Sequence, residues 1–245
     1  MIYLTGDTHC PKDMSKLNTT NFPEQRQMTK DDALIICGDF GAVWKRDSGE
    51  DRFWLNWLDD KNCTVVFCDG NHENFDLLYE FPIVEWNGGK VHQIRESVFH
   101  LMRGEIYTIE GKTFFVLGGA ESTDKEWRTE GVSWWSQEVP SQEELDHARA
   151  KLDSVNWKVD YVITHTCPSH CLNVLGFRAN DDTFQNFLNE IDIWGEYKHW
   201  YFGHFHQDIQ LDEKHTCIYN KIVKIEENNK LSLDSLVAEL EKQGK

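Results

Sequence analysis

The sequence is short of positive charge: 25 Lys and Arg stand against 42 Asp and Glu, a formal net charge of −17. General nucleic-acid binding is therefore not expected, because it needs a basic surface to displace counterions. No secretory leader or apolar run of transmembrane length precedes the first predicted strand, so no membrane role is expected. Repeats, long linkers and low-complexity tracts are missing too. The seven cysteines are odd in number and scattered, at Cys10, Cys37, Cys63, Cys68, Cys167, Cys171 and Cys217. A disulfide framework is not the expectation. Reduced thiols in a cytoplasmic protein are.

What is present suits a folded enzyme-sized chain. At 245 residues, 40% hydrophobic and 13% aromatic, it can bury one sizeable core. Apolar runs of strand length occur at Ile2–Leu4, Ala33–Cys37, Thr64–Cys68, Phe114–Leu117, Tyr161–Ile163 and Trp200–Phe202. Helical patterns lie between them. "DRFWLNWLDD" spaces Phe53, Trp54, Trp57 and Leu58 for one face. "PSQEELDHARAKLDSV" opens on a capping box, Ser141 and Glu144, then repeats Leu145, Ala148 and Leu152. "DDTFQNFLNEIDIW" repeats Phe184, Phe187, Leu188 and Ile191. Residues 82–117 read as hairpins with Gly turns. The expectation is a layered α/β fold over residues 1–225, with an amphipathic helical tail, 226–245, docked on the same domain.

Five of the strand-like runs end in polar clusters: "IYLTGDTHC", "LIICGDFG", "VVFCDGNHE", "YVITHTCP" and "WYFGHFH". Functional groups of α/β sheets collect beyond the carboxyl ends of strands, which is where these clusters fall. Together they offer Asp7, His9, Asp39, Asn71, His72, His165, His204 and His206. Singly, each motif is commonplace: a Gly-Asp turn, a helix cap, an exposed His loop. Jointly they suggest one site. Carboxylates, imidazoles and an amide oxygen suit a transition metal such as Mn, Fe or Zn. A carboxylate has oxygens enough to bridge two ions. Gly6, Gly38, Gly70 and Gly203 allow sharp turns or close backbone approach just before the ligands.

The ordered set "GDTH", "GDFG", "GNHE", "TH" and "GHFH", spanning residues 5 to 206, resembles the calcineurin-like metallophosphoesterase superfamily. The resemblance implies a four-layer β-sandwich flanked by helices, with a dinuclear metal centre on loops at one edge. It implies that Asp7, His9 and His206 bind one ion and that Asn71, His165 and His204 bind the other. Asp39 would bridge them, and His72 would be catalytic without binding metal. The cofactors implied are two divalent or trivalent transition-metal ions, manganese first, iron or zinc as alternatives. The pattern departs from the family at Cys10 and Thr164, where Gly is usual. "GDFGAVW" also lacks the "GDxxDRG" of the protein Ser/Thr phosphatase branch: Ala42 and Val43 replace the Asp and Arg that orient the catalytic His and grip the phosphate there. The partner of His72 is thus not identified by the motif.

The implied activity is metal-dependent hydrolysis of phosphoric esters, by in-line attack of a hydroxide held between the two ions. Such ions would make the pocket locally positive inside an acidic protein. His72 would act as general acid or as a hydrogen-bond donor to the transition state. A phosphodiesterase acting on a small phosphate ester or nucleotide is the first expectation. A phosphomonoesterase acting on phosphoproteins or nucleotides, and a non-catalytic scaffold, are the alternatives. Lys45, Arg46, Lys125, Arg128 and Arg178 are candidates to grip substrate, and Trp134 and Trp135 to stack a base or to pack in the core. "HTCPSHC" places Cys167, His170 and Cys171 beside His165, but its spacing fits no zinc ribbon.

Overall fold

The computed structural model describes residues 1–179 and 182–225. The first part of the chain forms β1 (Ile2–Thr5), β2 (Ala33–Cys37), α1 (Gly49–Asp59), β3 (Thr64–Cys68) and α2 (Phe75–Leu78). A meander follows: β4 (Ile83–Trp86), β5 (Gly89–Gln93), β6 (Val98–Leu101), β7 (Glu105–Ile109) and β8 (Lys112–Leu117). Then come α3 (Gln142–Ser154), β9 (Tyr161–Thr164), α4 (Ser169–Leu175), α5 (Thr183–Trp194) and β10 (His199–Phe202). The described part closes with β11 (Ile209–Gln210), β12 (His215–Cys217) and β13 (Val223–Ile225). The tail helix expected within 226–245 lies outside the described residues.

Two sheets result. One has seven strands in the order β13-β1-β2-β3-β6-β5-β4, the other six in the order β11-β12-β10-β9-β8-β7. Each is parallel at its centre and antiparallel at its edges. The hairpin reading of residues 82–117 holds, but those hairpins are shared: β4 to β6 join the first sheet, β7 and β8 the second.

The two-residue period of the strands explains the layering. In β2, Ala33, Ile35 and Cys37 pack between the sheets with Leu4, Val66, Phe114 and Ile163. Leu34 and Ile36 point the other way, against Leu55 and Leu58 of α1 and Phe75 and Leu78 of α2. Both faces are covered, so the strand reads as an unbroken apolar run. On the far side, Phe115, Val162, Trp200 and Phe202 pack against Leu145 and Leu152 of α3 and Phe187 and Leu188 of α5. The molecule is therefore a mixed α/β sandwich of two sheets flanked by helices.

Local signals start the helices. Ser141 and Glu144 make the reciprocal capping box of α3, and Ser48 accepts from Asp51 N at α1. The apolar face of α1 differs from expectation: Leu55 and Leu58 are buried, whereas Phe53 is exposed and Trp54 and Trp57 are half-buried. Among the described residues no helix is long and apolar enough to cross a membrane.

Candidate metal centre

Strand register brings the five polar clusters to one rim. Thr5 pairs with Ile36 and Cys37 with Cys68, so β1, β2 and β3 deliver Asp7, Asp39 and Asn71 side by side. In the second sheet Ile163 pairs with Tyr201, which sets His165 next to the loop of His204 and His206. All eight residues meet there. The donors of Asp7, His9 and His206 lie within 4.8 Å of one another, as do those of Asp39, His165 and His204, and those of His9, Asp39 and His72. Asn71 joins through its Oδ1, 3.2 Å from His165 Nε2.

Asp39 stands in the middle. Its Oδ1 lies 3.2 Å from His165 Nε2 and accepts from His72 N at 2.8 Å, while its Oδ2 lies 3.2 Å from His9 Nε2. Asp7 is fully buried. Its Oδ1 accepts from His204 N at 3.0 Å, and its Oδ2 lies 3.1 Å from His206 Nε2 without forming a hydrogen bond. Among the described residues it is the one buried side-chain polar atom left orphaned. A buried carboxylate oxygen without a donor is costly, and a cation would satisfy it.

Surrounding groups orient the donors. The Nδ1 of His165 lies 2.8 Å from the Cys37 carbonyl and that of His9 lies 2.8 Å from Asp13 Oδ2, contacts that assign Nδ1–H and turn each Nε2 inward. Asn71 Nδ2 donates to Ser122 Oγ at 3.0 Å, and Ser122 Oγ donates to the buried Glu138 at 2.7 Å. This chain turns the amide so that oxygen, not nitrogen, faces the centre. His206 stacks on Tyr219, with ring centroids 4.6 Å apart. Beneath, the buried Lys16 donates to the carbonyls of Gly6, Asp7 and Tyr219.

The electrostatics favour a cation. Burial lowers the pKa of His165, yet Asp39 and Asp7 override it and push it up to about 10. Burial raises that of Asp39, but His165 and His9 hold it well below the usual carboxylate range. Burial, with His165 adjacent, brings His204 down to about 4, so its ring is a neutral donor. A carboxylate pair that keeps a buried imidazole protonated is a site that would exchange a proton for a metal ion. The donor set and the orphaned oxygen both fit one.

Backbone strain sits at the same place. His9, Asp39, His204 and His206 all adopt positive φ, at 35°, 45°, 68° and 50°. They are four of the nine non-glycine residues with positive φ among those described, and such conformations gather at functional sites. Gly38 is required twice over: its φ is 95°, and a Cβ there would stand 2.1 Å from His165 Nδ1. Gly203 is needed for closeness alone, since a Cβ would fall 2.2 Å from Asp7 Oδ1.

The other candidates divide. Arg128 reaches the centre, with Nη1 3.0 Å from His72 Nδ1. Arg178 lines a cleft of about 390 Å³ together with Phe177, Phe205, His204 and His206. Lys125 pairs with Glu138 and Glu121, and Arg46 pairs with Glu80. Lys45 lines a separate groove with Arg46 and Arg95. Trp135 is a core residue, its indole donating to Asp76, while Trp134 is half-buried with Lys125 over its ring. The sequence reading missed Asp13, Lys16, Ser122 and Glu138. Only Ser122, just past the strand ending at Gly118-Gly119, carried a positional signal.

A two-sheet sandwich with His and Asp clusters able to hold metal ions at one strand-end rim defines the class: a metal-dependent hydrolase scaffold. The family model described as calcineurin-like phosphoesterase matches residues 1–208, and the chain belongs to that family, whose members are metal-dependent phosphoester hydrolases. No curated protein matches the chain.

Proposed function

We propose that the chain is a phosphodiesterase with a dinuclear centre, acting on a small phosphate diester or nucleotide in the reducing cytoplasm. Asp7, His9 and His206 would hold one ion, Asn71, His165 and His204 the other, with Asp39 between them. Once bound, two such ions, manganese in this proposal, would polarise the phosphoryl oxygens and lower the pKa of water. The free state of all seven cysteines supports the compartment.

The residues around the centre supply the rest. Burial lowers the pKa of His72, Arg128 adding to that effect against the pull of Asp39, so the imidazole is neutral. A guanidinium can only donate, and Arg128 meets both ring nitrogens, Nδ1 at 3.0 Å through Nη1 and Nε2 at 3.4 Å through Nη2; the shorter contact makes Nδ1 the acceptor and leaves the proton on Nε2. A neutral ring of this kind acts by hydrogen bonding to the transition state, not by transferring a proton. Arg128 adds positive charge beside it for a phosphoryl oxygen.

The observation that carries the diesterase reading is the cleft beside His204 and His206. Phe177 and Phe205, with centroids 5.0 Å apart, give it an apolar wall, and Arg178 also lines it. That wall suits a second organic ester group, which a monoester lacks. The test compares bis-p-nitrophenyl phosphate with p-nitrophenyl phosphate in the presence of manganese. Faster hydrolysis of the diester is expected. The reverse order would favour the monoesterase, and a metal-loaded chain inert to both would favour the scaffold.

A further inference from the structure

A second set of metal-type donors lies outside this centre. His170 and Cys171 sit in the first turn of α4, Asp212 in the turn after β11, and His215 at the start of β12. Each offers one donor atom, and all four lie within 4.8 Å of one another. His170 Nε2 is 3.3 Å from Cys171 Sγ and 3.3 Å from Asp212 Oδ2, and His215 Nδ1 is 2.9 Å from the same oxygen. Zn–N bonds of about 2.0–2.1 Å and Zn–S of about 2.3 Å in a tetrahedron set donor separations of about 3.3–3.6 Å. Two of these contacts, at 3.3 Å, lie at the lower edge of that range, and the 2.9 Å contact falls below it, so a bound ion would spread the donors slightly.

The surroundings aim these atoms at one another. Asp192, on α5, receives the outer nitrogen of both rings: His170 Nδ1 at 3.0 Å and His215 Nε2 at 3.1 Å. Tyr197 OH donates to the same carboxylate at 2.7 Å. One acid thus sets both imidazoles so that His170 Nε2 and His215 Nδ1 turn towards the thiol, the arrangement that second-sphere carboxylates give to metal-binding histidines. Asp212 Oδ1 accepts from Lys214 N at 2.7 Å and His215 N at 2.9 Å, which holds the acid in place. The Cys171 sulfur also shares a hydrogen bond with Cys167.

We propose that His170, Cys171, Asp212 and His215 form a structural zinc site. One thiolate and one carboxylate balance the charge of Zn²⁺, and the two neutral rings complete four protein ligands. No position is left for a reactive water, which marks such a site as structural, not catalytic. Its placement gives it a task. α4 follows the loop of His165 and β11 follows that of His206, so the zinc ties together the two loops through which the second sheet reaches the catalytic rim.

Cobalt(II) substitutes for zinc and gives a thiolate-to-metal charge-transfer band only where a cysteine is a ligand. None of the eight residues of the catalytic centre is a cysteine. Titrating the metal-stripped full chain with cobalt should raise that band to saturation within three equivalents, one for this site and two for the catalytic centre, and Asp39→Asn should leave its final height intact. It should vanish in Cys171→Ser and need more cobalt in His170→Asn, and zinc-loaded wild type should hold one more zinc than Cys171→Ser. A wild-type chain without the band, a band surviving Cys171→Ser, or an unchanged His170→Asn titration would overturn the assignment.

Discussion

Arg128 faces His72 across the mouth of the metal centre: Nη1 lies 3.0 Å from the imidazole Nδ1, while Nε is held 2.8 Å from Asp124 Oδ1. In the protein phosphatase branch that "GDxxDRG" marks, Asp and Arg stand where this chain has Ala42 and Val43, both buried here in an apolar cluster. The cation beside His72 is Arg128, from the loop after β8, with Asp124 as its anchor.

Removing the ring should show in turnover alone. His72→Ala is expected to lower kcat on the diester by about 10²–10³-fold with bound metal unchanged, measured by elemental analysis on the assayed sample. Arg128→Lys should not restore an Arg128→Ala loss, because an ammonium cannot keep the forked contact. Full activity in either variant would remove these residues from the mechanism.

Ser122 controls which end of the Asn71 amide faces inward. Ser122→Ala takes away its acceptor, freeing the amide to rotate. Manganese affinity should fall about 10–100-fold, the usual range for such supporting residues, in a chain with an unaltered far-ultraviolet CD spectrum. Unchanged affinity would make the Ser122 contact incidental.

Stability rests on a different buried pair. Asp69, just past β3, is held by Arg103 through Nη2 at 2.5 Å and Nε at 2.9 Å, and its carbonyl accepts from Gly119 N, which joins the two sheets. Although burial opposes it, Arg103 keeps Asp69 ionised well below the usual range. Arg103→Met strands that charge and should cost about 3–5 kcal/mol in urea unfolding. A loss under about 1 kcal/mol, the value of a surface pair, would contradict this.

Lys61 supplies a pH signature remote from the candidate metal centre. It is buried, donates to Leu17 O and Gln25 Oε1, and burial lowers its pKa from 10.5 to about 8. Between those values the unfolded chain binds more protons at this position than the folded one, so unfolding free energy rises with pH across the window. Below it, the folded state carries the cost of a buried charge. The stability difference between wild type and Lys61→Met should therefore shift in favour of wild type from pH 8 to 10.5. Parallel curves would count against it.

Much of this was written locally. Ala33–Cys37 and Thr64–Cys68 match β2 and β3 residue for residue, because strands covered on both faces are uniformly apolar. The capping box at Ser141 marks the start of α3 for a similarly local reason. The eight candidates at the rim were legible because each follows such a strand. Ser122 and Glu138 were not, since what assigns them is a partner distant in sequence: Glu138 matters through Ser122, and Ser122 through Asn71. Asp13 and Lys16 lie near their partners in the chain, but only the turn after β1 folds them back onto His9, Gly6 and Asp7. In the second donor cluster His170 and Cys171 were visible in "HTCPSHC", whereas Asp212 and His215, from β12 and its preceding turn, were not, because only the fold brings them to α4. Of the two readings open for Trp135, stacking a base or packing in the core, the second holds, with its ring buried against Trp44.

The most direct test of the centre is anomalous diffraction from crystals of the full chain grown with manganese. Two peaks are predicted at the rim, one among Asp7, His9 and His206 and one among Asn71, His165 and His204, with the Asp39 carboxylate between them. A single ion, or manganese bound elsewhere with these side chains still paired to one another, would contradict it.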